Sequence, residues 1–473
     1  MVYVITLAVV IAVLCGVSFF RARTVTGKGD FLVAGRSLTW PVLVFTLLSS
    51  WIGAGSLLGG AENAYRNGFS ALWQAAGGWA GLVVISLIAG RARRFAQYTI
   101  PDLLETRFNS TARVLATIAI VISYTVIASY QFIGGGDILH LIFPQVDRNT
   151  GLYIIAGFVI LFTASAGMAS IAYLDLVIGS TVTLIVIVAV PILLARAGGW
   201  SHVHQALPAS HFKLFPVAGP LKALDWFLPT MLLLVGNQGM YQKFFSARTE
   251  RDARLSVYGW IVGTLILETF LVTLAVVASS FLVTDKPREI IALAAKQGLP
   301  PLLGALLIGG VFAKVISTAN NYLFSPATNL IHDVYERYID RKASSTKILL
   351  VSRIIVVLLG LFAVLQATRF ESILQASLYA YTIYGAAVTP VVLAVFFWKR
   401  ATAAGAVSSI LLGTAVTIVW QLLQQFKPEV FPPSWRQFDA IVPALLASLV
   451  SLVTVSLLSP APKPEKLRQL ENA

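Results

Sequence analysis

Hydroxyls, amides and glycines interrupt segments that are otherwise apolar enough to cross a bilayer. Between Thr39 and Asn67 the centre reads Ser49-Ser50-Trp51-Ile52-Gly53-Ala54-Gly55-Ser56. Glycine disfavours continued helix. Non-helical backbone survives at membrane depth only where it lines a cavity or is buried in protein. Interrupted segments of this kind point to a transporter's binding site. A small-residue packing face between helices is the competing account. The stretch Leu234-Val235-Gly236-Asn237-Gln238-Gly239-Met240 repeats the pattern, again pairing glycines with polar side chains.

Two charges lie inside apolar segments. Glu268 sits mid-way along VGTLILETFLV, where it contacts either a solute or proton, or a neighbouring polar group. Lys314 shares a helical face with Ser317, Thr318 and Asn321, at i, i+3, i+4 and i+7. An ammonium inside a membrane is costly unless paired. Arg353 lies near a segment end, where snorkelling or a gate ion pair accounts for it.

The elements that must position these residues are membrane helices. The chain has 473 residues, 57% hydrophobic and 12% charged, with mean hydropathy +0.80. Soluble domains carry about 25% charge. Apolar runs of roughly 20 residues recur from end to end, so the expected fold class is an all-α polytopic membrane protein of about thirteen helices. The first, about 2–20, lacks a basic n-region and a cleavage site and reads as a retained helix. The second covers about 40–61, the sixth 172–195, the seventh 224–241, the eighth 256–283, the ninth 301–326 and the eleventh 373–398. The basic clusters fall on one side: Arg21 to Arg36, Arg91 to Arg94, Lys243 to Arg254, Arg337 to Lys342, Lys399 with Arg400, and Lys463 to Arg468. The positive-inside rule puts the N-terminus outside and the C-terminus in the cytoplasm of a plasma (inner) membrane protein.

The net charge of +14 is read as these loops; there is no basic soluble module for nucleic acid. The single cysteine, Cys15, excludes an internal disulfide and a cysteine metal site. His202, His204 and His211 are expected to be solvated loop residues. The loop at 284–300 is expected to hold a short surface helix.

The two interrupted spans are five helices apart and face opposite ways. That is the pattern of a five-plus-five inverted repeat, with halves about 40–197 and 222–399. The expected organisation is 1–38 as an extra helix and loop, 39–400 as the core, and 401–473 as two further helices and a tail.

Four stretches carry a resemblance: DFLVAGRSLTWP before the second span, AGMASIAYLDLVIG at the sixth, MYQKFFSARTERDAR after the seventh, and AKVISTANNYLFSPATNLIHDVY through the ninth. Over about 25–400 the chain resembles the sodium–solute symporters, the family of bacterial proline, sialic acid and sugar symporters. The resemblance implies a LeuT-like inverted-repeat core with one extra helix before it and two after it. It implies a cation site using carbonyls of Ser49, Ile52 and residue 314 with hydroxyls of Ser317 and Thr318. It implies a second cation site at Asp175, Ser317, Asn320 and Asn321. It implies a substrate cavity lined by Gln74, Tyr130, Gln131, Asn237, Gln238, Glu268, Tyr381 and the neighbouring tyrosines, Tyr379 and Tyr384. The coupling ion would be Na⁺ or H⁺, with no other metal or cofactor.

Lys314 departs from the family, which usually has alanine there. Three readings stand. The lysine replaces sodium as a tethered cation, paired with Asp175, giving proton-coupled or sodium-independent transport; it binds an acidic substrate group while sodium binding persists; or it snorkels toward a polar cavity and leaves its carbonyl to sodium. The expected function is a secondary transporter importing a small polar organic solute through the bilayer by alternating access. An enzyme would need a clustered catalytic set, which is missing. A channel would need a polar pore-lining repeat. A membrane sensor is the remaining class, but the tail is too short for a signalling domain. Neither the solute nor the oligomeric state is legible.

Overall fold

The computed structural model describes residues 1–22, 36–95, 99–165, 168–370, 372–464 and 466. Part of the expected first basic loop (Arg23, Lys28), the start of DFLVAGRSLTWP, Ala166-Gly167 and Arg468 lie outside the described residues.

The described elements are helices, in this order: α1 (Val2–Ala22), α2 (Trp40–Trp51), α3 (Gly60–Asn67), α4 (Leu72–Phe95), α5 (Ile100–Arg107), α6 (Ser110–Ile142), α7 (Arg148–Ser165), α8 (Met168–Arg196), α9 (Trp200–Ala206) and α10 (Pro220–Gly236). There follow α11 (Gln238–Ser246), α12 (Glu250–Ser279), α13 (Ile290–Leu293), α14 (Pro301–Asn329), α15 (Ser345–Ala367), α16 (Ile373–Ala387), α17 (Thr389–Phe397), α18 (Ala403–Phe426) and α19 (Ile441–Leu458). Ten helices among the described residues are long and apolar enough to cross a membrane, and Val2–Gly16 and Trp40–Trp51 are shorter apolar helices. Leu87, Leu161, Leu184, Leu358 and Leu457 point outward and exposed, as lipid-facing side chains should. The polar residues of the breaks are turned inward.

Both expected interruptions are present. α2 ends at Trp51, where Ile52 adopts φ −83°, ψ 91°. The chain then resumes through a wide turn over Gly55–Gly59 into α3. A Cβ on Gly53 would lie 2.5 Å from Thr318 Cγ2, so the break is packed directly on α14. α10 ends at Gly236, and Asn237 caps α11 by accepting from Met240 N at 3.2 Å. A third break, unforeseen in the sequence, divides α16 from α17 at Val388, just before Pro390.

The start of the first interrupted span is tied to the end of the second. Leu38 N donates to Ser246 O at 3.1 Å, and Arg248 N to Leu38 O at 2.8 Å. α4 lies backbone-close to α10: a Cβ on Gly77 would meet Phe227 O at 2.1 Å, and one on Gly81 would meet Met231 O at 2.8 Å. This four-residue glycine spacing is the small-residue face that lets membrane helices approach.

Three loop expectations need correction. His211 is buried and its Nε2 lies 3.1 Å from Tyr65 O, so it ties a loop to the end of α3 rather than meeting solvent. The short helix in the 284–300 loop exists, but Ile290 and Ile291 are fully buried, so it packs into the protein. α5, capped by Thr99 accepting from Asp102 N, was not anticipated.

Candidate functional site

The face of α14 carrying Lys314, Ser317, Thr318 and Asn321 meets α2, α8 and α11. Thr318 Oγ1 donates to Ser49 O at 3.2 Å, tying α14 to the α2 break. Asp175 of α8 is fully buried and accepts from Thr46 Oγ1 at 2.7 Å and from Ser317 Oγ. Asn321 Nδ2 donates to Ser317 O at 2.9 Å. Ser49 O, Thr318, Ser317, Asp175 and Asn321 are thereby linked side by side, whereas the buried amide of Asn320 has no hydrogen-bond partner among the described residues. Ser49 Oγ is likewise buried without one.

Two ammonium groups enter this cluster, and only one was anticipated. Lys243, read in sequence as part of a basic loop, is 1% exposed because α11 continues to Ser246. Its Nζ donates to Thr46 O at 3.2 Å, Asn321 Oδ1 at 3.1 Å and Ser50 Oγ, and lies 4.0 Å from Asp175 Oδ2. Lys314 is fully buried, and its Nζ has no hydrogen-bond partner among the described residues. A Cβ on Gly179 would lie 3.7 Å from that Nζ, so a glycine makes room for it. The expected Lys314–Asp175 pair is replaced by Lys243–Asp175 as the ion pair. The side chain reaches no outer surface, so any polar space it meets is internal.

Gly53 connects this cluster to the helix break. A Cβ there would sit within 2.8 Å of three Thr318 side-chain atoms. Thr318 is β-branched and stiff at χ1, so it yields only by giving up its bond to Ser49 O. Gly53→Ala is expected to lower stability by about 1–3 kcal/mol, the usual cost of overpacking. Thermal unfolding in detergent checks this, and a variant as stable as the parent would show the contact to be soft.

A second cluster lies beside the first. Glu268 of α12 is 5% exposed and accepts from Trp51 Nε1 at 2.9 Å and Trp79 Nε1 at 3.0 Å. The Trp51 and Tyr381 rings stack with centroids 6.2 Å apart, and Tyr381 OH lies 3.4 Å from Tyr130 OH. These groups border a cavity of about 30 Å³, lined by Trp51, Ser56, Gln74, Thr230, Glu268 and Tyr381 among others.

Both ends of α6 carry ion pairs. At one end Arg288 binds Asp137 at 2.7 Å and Arg148 binds Glu289 at 2.7 Å, around a cavity of about 500 Å³. At the other, buried Arg113 contacts Asp333 at 2.7 Å, Asp102 at 3.0 Å and Glu105.

Residues 31–413 match the model of the sodium:solute symporter family. The chain belongs to that family. It is 25% identical to the high-affinity proline transporter PutP of Bacillus subtilis (strain 168), over 94% of this chain and 96% of that one. It is also 25% identical to a sodium/proline symporter of Staphylococcus aureus (strain bovine RF122 / ET3-1), over 97% of this chain and 93% of that one. Its fold resembles that of a Na⁺-coupled sialic acid symporter in a substrate-bound outward-open state, with TM-score 0.81, 14% identity and 98% and 99% of the two chains covered. MhsT in complex with L-phenylalanine gives TM-score 0.59 at 12% identity, covering 89% and 98%.

In this family member the expected substrate-cavity residues separate into two groups. Gln74, Glu268 and Tyr381 border the cavity, with Tyr130 behind Tyr381. Gln131, Asn237 and Gln238 instead satisfy backbone or tyrosine groups. Gln131 Oε1 accepts from Ala54 N at 2.8 Å, and Gln238 Oε1 accepts from Ile100 N. Asn237 accepts from Tyr124 OH at 2.8 Å and donates to Tyr322 OH at 3.1 Å. Sequence reasoning missed Trp51, Trp79 and Lys243. The signal for Lys243 was its setting, MYQKFF, which is aromatic and unlike the polar run that follows.

Proposed function

We infer that this symporter-family chain is a secondary active transporter importing a small polar organic solute by alternating access, coupled to a cation gradient. The observation that carries the reading is the meeting of both interrupted helices with α8 and α14 around buried oxygens. Proline and sialic acid, named for relatives, suggest the class of cargo. Family membership favours Na⁺ as the coupling ion. In this reading Ser49, Ile52, Ser317 and Thr318 supply oxygens to the ion, Asp175 and Asn321 extend that site, and Gln74, Glu268 and Tyr381 face the solute. About thirteen spans with a five-plus-five repeat, N-terminus outside and C-terminus cytoplasmic, accommodate the observed helices and the one-sided basic clusters. The ion pairs at the two ends of α6 would then be alternating gates.

A second reading of the ion is favoured by one observation: a second buried ammonium, Lys314, lies in the cluster although the carboxylate of Asp175 is paired with Lys243. Here Lys314 takes the place of sodium and exchanges a proton during transport. Uptake into proteoliposomes tests both readings. Under an inward sodium gradient a labelled cargo should accumulate above equilibrium and drain when the gradient is collapsed. Accumulation driven by an inward proton gradient alone would select the second reading. Equal uptake with and without any ion gradient would refute coupling.

A further inference from the structure

The Glu268 cavity holds an acidic group with no basic partner in its described wall, and this restricts what it can receive. Its wall holds one carboxylate and no lysine, arginine or histidine. The carboxylate is buried and meets neutral donors among the described residues, the indole N–H groups of Trp51 and Trp79 and the hydroxyl of Ser56. Aromatic faces from Trp51 and Tyr381 stand beside it.

Helix breaks ordinarily offer free backbone N–H groups to an anionic cargo. Here three of those amides are already engaged. Ala54 N donates to Gln131 Oε1 at 2.8 Å. Gln238 N donates to Tyr384 OH at 3.0 Å, and Gly239 N to Tyr124 OH at 3.2 Å. The buried lysines lie in the cation cluster and do not line this cavity. A carboxylate on the cargo would therefore find no counter-charge in the described cavity wall, and would face Glu268.

Resting on the transporter reading above, we propose that the cargo is a small organic ammonium ion without a carboxylate. Its nitrogen is held by Glu268 and by the faces of Trp51 and Tyr381. Charge-assisted contact and cation–π attraction both strengthen when water is excluded. The cavity of about 30 Å³ holds little more than a water, so entry of the cargo parts Trp51 from Tyr381 and releases an indole N–H from Glu268. Glu268 is thereby exchanged from indole donors to the cargo's ammonium.

The test uses the full chain in detergent, with potassium chloride holding ionic strength constant. Thermal stability is titrated with choline chloride, ethylammonium chloride, L-proline and 3,3-dimethyl-1-butanol, the uncharged isostere of choline. At least one amine should stabilise saturably. If that amine is choline, the alcohol should bind at least about tenfold more weakly, the loss expected for an unpaired buried charge. Glu268→Gln keeps an oxygen for an indole and should bring any stabilising amine down by a similar factor. The wild-type comparison stands even if that variant folds poorly.

Equal response to choline and the alcohol would overturn the proposal. So would silence from both amines, or stabilisation by L-proline that survives Glu268→Gln. Gradient-driven L-proline uptake alongside silent amines would defeat the ammonium cargo and leave the transporter standing. A bound amine that no gradient moves would keep the site and defeat the transporter.

Discussion

Lys314→Ala should bind sodium at least about tenfold more tightly than the wild-type protein, because it removes an unpaired ammonium from among the ion's oxygens. Like charges about 4 Å apart repel by roughly 4 kcal/mol at an effective dielectric near 20, so even a third of that effect is about tenfold. The lysine forfeits nothing in hydrogen bonds, since its Nζ makes none among the described residues. Lys243 remains, held by Thr46 O, Ser50 Oγ and Asn321 Oδ1, and keeps Asp175 paired. Melting temperature against NaCl, with KCl holding ionic strength, reads this directly. A ligand at a hundred times its Kd stabilises by about 2.7 kcal/mol.

The position of the wild-type curve then separates the two ion readings. A wild-type response at higher sodium means that the ion enters beside the lysine. A response seen only in the variant means that the ammonium holds the ion's place. Identical sodium midpoints in the two proteins would show that Lys314 and sodium do not share a site.

The cluster was partly visible in sequence because its parts are local patterns. Glycine beside hydroxyls marked the α2 break, Asn237 and its glycines marked the α10 break, and helical spacing placed Ser317, Thr318 and Asn321 on one face. Partnerships between distant segments were not visible. Trp51 and Glu268 are neighbours through a fold that brings α2 to α12, and nothing in either segment names the other. Lys243 was misjudged because charge near a span end is usually loop charge, whereas α11 carries it one more turn inward. The break at Val388 escaped notice because Ala386-Ala387-Val388 is apolar throughout and only Pro390 announces it.

Arg113→Met should be among the most destabilising single changes in the chain, at about 3–5 kcal/mol, because it strips a buried carboxylate of its counter-charge. Asp333 is fully buried, and its Oδ1 already takes Thr99 Oγ1 at 2.9 Å, Arg113 Nε at 2.9 Å and Arg113 Nη2 at 2.7 Å. Its Oδ2 has no hydrogen-bond partner among the described residues, so little remains to absorb the loss. The same arginine also reaches Asp102 and Glu105 of α5, so the cluster joins α5, α6 and the turn that follows α14. The carboxylate and imidazole atoms of Asp102, His332 and Asp333 are close enough to hold a metal ion, but Arg113 already contacts two of the three.

Arg66→Met is the appropriate contrast. That arginine is 57% exposed and its partner Glu62, though buried, also accepts from Ser372 Oγ at 3.0 Å, so losing a solvent-screened contact of 3.4 Å should cost about 0–1 kcal/mol. Asp333→Asn added to Arg113→Met should recover part of the loss, since the orphaned charge disappears with its partner. Unfolding midpoints of the three variants and the double variant decide the matter. An Arg113→Met protein no weaker than Arg66→Met, or a double variant showing simple additivity, would mean that water replaces the guanidinium without penalty. The same substitution frees α5 from α6 and from the turn after α14 at one end of the bundle. If that end is a gate, Arg113→Met should also make cysteines introduced beside Asp102 label faster, and this increase should persist in the double variant even where stability has recovered.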